Sequence, residues 1–443
     1  MKLLKPLCFG IVCLPNVAVA QVYEITELGT LSATVGDDVR SGDINNRGHV
    51  HGDNDKTGPV PGTYQTRSYL WDGATQLEVF PTVSGTTWKG AANDLGQCVG
   101  YQTMPVGSSP ELHGYLWDSV TGTADLDFGL RGFTRCFDIN NNGVITGLFT
   151  SEFVHNLTLQ YRAFVYHSRS STFHELPTLG GRESKATAIN NNNIVVGTTY
   201  DASGGQQGFV WSYRGGMVAI PGMRYPQDIN DNGIVVGYDI DSSGLIHPYS
   251  YDFFNNLLIP LPLPIGYTAG SANGNNCFGQ AVGYGKDASG AQHAILWSDI
   301  NTVTVISTII NNAGSWSITG ASNINDLQEI SGTGKINGLR RAYKLTPVLA
   351  QPIISEFLPG RSSRTATLFG MGFTPNVPVA LFYGGQGLAF TNGVVIASAY
   401  SDSEGRVEFG ARIPSRAANI TAWLMATENY LANPSVAIRQ LFR

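Results

Sequence analysis

Two segments carry side-chain oxygens at the spacing of a calcium loop. Asp138-Ile-Asn-Asn-Asn-Gly143 and Asp228-Ile-Asn-Asp-Asn-Gly233 present them at alternate positions ahead of a glycine, the pattern a hard cation requires. The candidate ligands are Asp138, Asn140, Asn142, Asp228, Asn230 and Asn232. Each loop is incomplete, because the twelfth position, where an EF-hand carries Glu, holds Phe149 or Asp239. An asparagine that bonds the backbone of its own turn needs no ion. The expectation is therefore hairpin turns with no cofactor, calcium being the single candidate ion.

Other reactive residue types are sparse. His49 and His51 lie two apart, as ligands on one strand face would, but without a third ligand they read as two histidines at a sheet edge. His113, His247 and His293 occupy one repeated position. Repetition points to a structural bond, since an active site is a unique constellation. The acid pairs Asp37-Asp38 and Asp239/Asp241 stand out only mildly, and no serine-nucleophile elbow, His-Glu-x-x-His or phosphate loop is present. Trp88, Trp316 and Trp423 fall outside the repeated pattern, where a sugar platform competes with plain loop packing and packing is the simpler reading.

What must position these residues is a unit that returns seven times. Its bend reads hydrophobic-Asn-x-x-Gly in Asp43-Ile-Asn-Asn-Arg-Gly48 and varies in other copies, as in Asn323-Ile-Asn-Asp-Leu327. Aligned on the Asn, the copies fall at Asn45, Asn93, Asn140, Asn190, Asn230, Asn273 and Asn325, 40 to 52 residues apart. After each bend comes a short apolar run closed by Gly, such as Ile194-Val-Val-Gly197, then an aromatic strand such as Gln207-Gly-Phe-Val-Trp211. Its two large residues are two apart, so they share one face and form core. A further strand, such as Met217-Val-Ala-Ile-Pro221, completes four strands per unit, the size of a propeller blade. The seventh unit stops after its aromatic strand, and Val22–Leu28 is an orphan of the missing type. That predicts a seven-bladed β-propeller over residues 21–346 closed by its N-terminal strand, which removes the exposed edges of an open array.

The Ile-Asn-Asn-x-Gly bend, the Gly that ends the next strand and the polar-small-aromatic-aliphatic-Trp strand resemble the HAF-family extracellular repeat of bacteria. The resemblance covers residues 22–346, although no copy reads His-Ala-Phe-Leu-Trp in full. It implies an exported location and a repeat fold rather than an activity.

The remaining features agree with export. Residues 1–20 read as a signal peptide: Lys2 and Lys5, an apolar Leu7–Leu14 stretch, and Ala18-Val-Ala20 before Gln21. No later run is long enough to span a bilayer as a helix. Cys98, Cys136 and Cys277 then remain, read either as a Cys98–Cys136 pair with one thiol left over or as three small buried residues. A net charge of −6 argues against nucleic acid as a partner. Residues 347–352, with two prolines, read as a linker, and 353–443 as an all-β, Ig-like sandwich whose Gly370–Val379 segment is similar to bacterial IPT-type domains. The expectation is a monomeric, exported binding module for a glycan or a protein partner. A polysaccharide hydrolase or lyase with its site at the propeller mouth, and a structural envelope or matrix component, are the alternatives.

Overall fold

The inner strand of every repeat runs into the Asn bend at its C-terminal end, so each unit enters its sheet from one direction. The computed structural model describes residues 22–31, 38–57, 64–79, 86–106, 109–128, 133–150, 160–349, 353–354, 365–371, 373, 376–384, 394–402, 406–412, 421–428, 433–434 and 438–441. Six consecutive four-stranded antiparallel sheets are followed by a seventh that closes the ring. Blade 4 is representative: Gly180–Ile189, Val195–Asp201, Gln206–Ser212 and Gly216–Ile220 pair in chain order. In blade 7, Trp316–Ile324, Ile330–Ile336 and Leu339–Pro347 are completed by Tyr23–Glu27, which runs antiparallel to the last of them with Ile25 opposite Leu345. The N-terminal closure expected from the sequence is present. One addition was not foreseen: Ile310–Asn311 pairs in parallel with the outer side of Tyr23–Glu27.

The core lies between blades rather than within them. Val144, Val165 and Leu176 of blade 3 pack with Ile189, Phe209 and Trp211 of blade 4, and the other side of blade 4 packs Val196, Val210 and Ile220 on Ile229, Val235 and Tyr251 of blade 5. The aromatic position of the third strand is fully buried at Tyr69, Tyr115, Phe164, Phe209 and Tyr343. The repeated Gly opposite it on the adjacent inner strand is a consequence of that packing. A Cβ on Gly52 would lie 2.4 Å from the Tyr69 hydroxyl oxygen and from the Arg40 carbonyl, and Tyr69 uses the vacated space to donate to that carbonyl at 3.3 Å.

Cys98 and Cys136 are free and buried. They do not pair because they sit in different cores: Cys98 packs against Leu70 and Val79 of blade 1, and Cys136 against Ile145 and Phe164 of blade 3. Cys277 is also buried.

Beyond Pro347 the chain forms a three-stranded sheet containing Thr365–Met371 and Val407–Arg412, and a second sheet containing Pro378–Gly384, Val394–Tyr400 and Thr421–Glu428. The region meets the Asn-bend face of the ring at blades 7 and 1. Phe369 and Met371 pack on Leu327, and Arg47 pairs with Glu408 at 3.0 Å. Between them Glu329, fully buried, is held by Lys344 at 3.1 Å and by Arg406. Burial pushes the Glu329 carboxyl up, but the two cations and their bonds outweigh it and its pKa falls below the ordinary range. The signal-peptide segment and residues 350–352 of the expected linker lie outside the described residues.

If the N-terminal strand is an integral part of blade 7, truncating its anchor is costly. Tyr23 is fully buried among Ile318, Ile330 and Leu345, so Tyr23→Ala is expected to lose about 3–5 kcal/mol. Equilibrium denaturation measures this, and a change near zero would show that the strand is only appended.

Candidate functional site

The bend asparagines converge on the propeller axis, and each does two jobs. In Asn190 the side-chain oxygen accepts from the backbone N–H groups of Asn192 and Ile194 at 3.0 and 2.9 Å, which holds its own hairpin. Its amide nitrogen donates to the Asn230 carbonyl of the next blade at 2.9 Å. The same donation runs Asn45 to Asn93, Asn93 to Asn140, Asn140 to Asn190, Asn230 to Asn276, Asn276 to Asn325, and Asn325 back to Asn45. A closed circle of seven amide-to-carbonyl bonds therefore stitches all seven blades together.

This circle corrects the sequence alignment of blade 6. The equivalent asparagine is Asn276, not Asn273, because Asn276 makes the two turn bonds to Phe278 and Gln280 and both ring contacts. The alignment slipped because Asn275 stands where the other blades carry Ile or Ala, so the hydrophobic-Asn signature was read three residues early. Asn273 instead donates to the Ala321 carbonyl.

The residue two before the asparagine builds a second layer. Around the ring it is Asp43, Ala91, Asp138, Ala188, Asp228, Gly274 and Asn323. Each aspartate accepts one N–H from its own strand and one from the next blade: Asp43 from Ile44 and Ala92, Asp138 from Ile139 and Ile189, Asp228 from Ile229 and Asn275. The Gly in blade 6 leaves room for the neighbouring side chain of blade 7, since a Cβ on Gly274 would lie 2.1 Å from Asn323 Oδ1. The alternation of acidic and small residues was present in the sequence, but only the circular arrangement gives it meaning.

These layers enclose an axial cavity of about 160 Å³, lined in part by Asp43, Asp94, Asp138, Asp228, Asp231 and Asp326. Burial pushes the Asp228 carboxyl up to about 7 against its two N–H bonds, with the Asp43 charge adding to the shift. Burial likewise raises Asp94 to about 6. The calcium-pattern residues are therefore not gathered around a point. Asp138 and Asp228 reach sideways to the next blade, Asn140 and Asn230 grip their turns, and Asn142 and Asn232 donate to the Asn191 and Cys277 carbonyls. Among the described residues no group of three or more His, Cys, Asp or Glu is arranged to hold a metal ion.

The histidines divide. His51 is fully buried rather than at an edge, and burial pushes it down to about 3. His49 is pushed down to about 4 for the same reason. They are not edge residues because the strand they open is second from the axis and covered by its neighbours. His247 and His293 each bond the aspartate six residues earlier, Asp241 at 2.8 Å and Asp287 at 3.0 Å, and so lock an Asp-x-Ser-Gly turn. His113 turns instead to Asp125 at 2.9 Å. The repeated position is structural. Asp239 is bound to Arg224, while Asp37 lies outside the described residues.

Away from the bends, the leading halves of the inner strands carry a different surface. Trp88 stacks on Tyr101 with ring centroids 5.0 Å apart at 18°, and Tyr101 meets Phe137 edge-on at 6.3 Å. The Arg135 guanidinium lies 5.1 Å above the Tyr101 ring, and Lys185 Nζ lies 4.7 Å above Phe137. All three aromatics are only partly buried. Of this group the sequence had singled out only Trp88. Trp316 packs on Tyr343 inside blade 7, and Trp423 lies in the C-terminal strand Thr421–Glu428.

Two measurements test the axial layers. Asn190→Ala removes three buried bonds and leaves the Asn192 and Ile194 N–H groups without their acceptor. At about 1–3 kcal/mol for each stranded group, the expected loss is at least about 2 kcal/mol in a denaturation curve. The second is pH dependence. Between about pH 4 and 7 the folded chain holds a proton at Asp228 that the unfolded chain has lost. Stability should therefore be greatest at the acid end of that window, fall as pH rises to 7, and level off above it. One such group gives a slope of about 1.4 kcal/mol per pH unit. Asp228→Asn should flatten the slope.

Comparison with known proteins gives structural likeness at low sequence identity. No protein-family model matches it, and no curated protein sequence does either. Among solved structures it is similar to the β-propeller domain of the Trilobed protease from Pyrococcus furiosus, at 9% identity over 65% of this chain and 91% of that one, with a TM-score of 0.42. It is also similar to TolB from Acinetobacter baumannii, at 11% identity over 70% of this chain and 63% of that one, TM-score 0.36. A third is the acylaminoacyl peptidase of Pyrococcus horikoshii, at 11% identity over 80% of this chain and 61% of that one, TM-score 0.45. The chain thus spans less than two thirds of the length of the latter two. The chain is an all-β protein built on a seven-bladed β-propeller.

Proposed function

We propose that this is an exported propeller of the HAF-like repeat type that serves as a binding module for a glycan or protein partner. The C-terminal region acts as an Ig-like spacer against the Asn-bend face. One observation carries the reading. The polar side chains of the axial bends are engaged in holding blades together, whereas the half-exposed aromatic and basic side chains gather at the other end of the inner strands. Groups bonded into the frame are poor reactants, and partly exposed aromatics with cations are the kind of surface that recognises ligands. The C-terminal region, by meeting Arg47, Leu327 and Glu329, leaves that end uncovered by these contacts.

A thermal-shift panel on residues 21–443, against glycans of several classes and with or without calcium, tests this. A rise in melting temperature with a glycan class supports it, because a ligand that prefers the folded state stabilises it. Loss of that glycan over time would replace it with an enzymatic reading. A rise with calcium alone, and no response to any glycan or captured protein, would overturn it.

A further inference from the structure

Five blades place a large or charged residue at one equivalent position of the inner strand: Arg40, Trp88, Arg135, Lys185 and Tyr225. Each sits opposite the residue that follows the repeated Gly of its neighbouring strand, namely Asp53, Tyr101, Leu148, Thr198 and Tyr238. The charges there are not treated alike. Arg40 is bound in two places by Asp55, at 2.6 and 2.9 Å. Arg224, beside Tyr225, is bound by Asp239.

Arg135 and Lys185 occupy the same place in blades 3 and 4 and meet no carboxylate among the described residues. No ion pair among the described residues includes either of them, and Arg135 Nε is buried without a hydrogen-bond partner. Their neighbours explain why: the strand residues beside them are Leu148 and Thr150 in blade 3, Thr198 and Tyr200 in blade 4. Two like charges are thus held on adjacent blades, each over an aromatic face, with the Trp88–Tyr101 stack alongside. Contact with the Phe137 ring partly desolvates the Lys185 ammonium and lowers its pKa, and the Arg135 charge lowers it further. The nearest buried carboxylate felt by Tyr101 is Asp53, which already accepts from the Lys89 N–H and the Ser68 hydroxyl.

We infer that this corner of the propeller mouth binds the carboxylated rings of an acidic glycan. Trp88 and Tyr101 stack on the sugar faces, and Arg135 and Lys185 take the uronate carboxylates. The inference rests on the binding-module reading and specifies its ligand. A neutral glycan would leave the two cations without a counterion. A nucleic acid would meet a chain of net charge −6 with Arg135 and Lys185 as the cations described at this corner, too few for the phosphate neutralisation that drives such binding.

The test is calorimetric titration of the full chain with oligogalacturonate and oligoalginate, beside neutral xylo- and cello-oligosaccharides, a poly-glutamate peptide and a single-stranded oligonucleotide. Uronate binding that weakens with added salt is expected. Arg135→Gln and Lys185→Gln should each lower its affinity about tenfold or more, since each removes a charge-assisted bond. Arg135→Lys should retain part of it, and Tyr101→Leu should weaken it by loss of stacking. Unchanged melting temperatures would show that the variants are folded; a variant that melts early is replaced by Lys185→Met, whose exposed side chain bears little on the core. Uronate affinity equal to wild type in both Gln variants would overturn the inference. So would preference for a neutral glycan, the peptide or the oligonucleotide, although binding of the glycan or peptide leaves the binding-module reading intact. No response to any ligand would count against both.

Discussion

Everything in this ring depends on one side chain used in two directions. A buried asparagine amide closes its own hairpin with its oxygen and grips the next blade with its nitrogen. Neither aspartate nor leucine can replace it, since one has no donor and the other has neither donor nor acceptor. Because the donation runs in the same sense through all seven blades, it closes only when the seventh meets the first, at Asn325 and Asn45. The aspartate layer repeats the same logic on alternate blades, where an Asp accepts a backbone N–H across the gap from a blade that carries a small residue at the equivalent position.

This construction has a cost that shapes function. Carboxylates on the axis are buried and crowded, so their pKa values rise, and their lone pairs are already used by backbone N–H groups. Such groups hold a frame in place. Chemistry directed outward falls to positions that the frame does not need. On the inner strands those are the leading positions, where one blade can carry Arg, the next Trp and another Lys without disturbing the circle.

The C-terminal region is joined to the ring by a charge rather than by a large apolar face alone. Glu329 is buried with one cation from the propeller, Lys344, and one from beyond it, Arg406. The buried carboxylate thus takes one cation from each side of the boundary, and this contact ties the region to blades 7 and 1. Its Arg406 side chain also occupies the space that a Cβ on Gly48 would need.

The repeat count, the four strands per unit, the buried aromatic strand and the closing N-terminal strand were all legible in the sequence, because each follows from local periodicity and from the incomplete seventh unit. The asparagine bend was legible as a turn, since an Asn that bonds its own backbone needs only the residues around it. Its second role was not, because the Asn190 amide meets the Asn230 carbonyl forty residues on, across a blade boundary that no pattern along the chain describes. For the same reason Asn273 was taken for Asn276. The mouth was hidden more completely. Arg40 and Arg135 look alike in sequence, and only tertiary structure decides that one meets an aspartate two residues along the neighbouring strand while the other meets Leu148 and Thr150. Periodicity along the chain determines which residues build the frame. Which charges are left unpaired depends on cross-strand and cross-blade neighbours, and those exist only once the ring has closed.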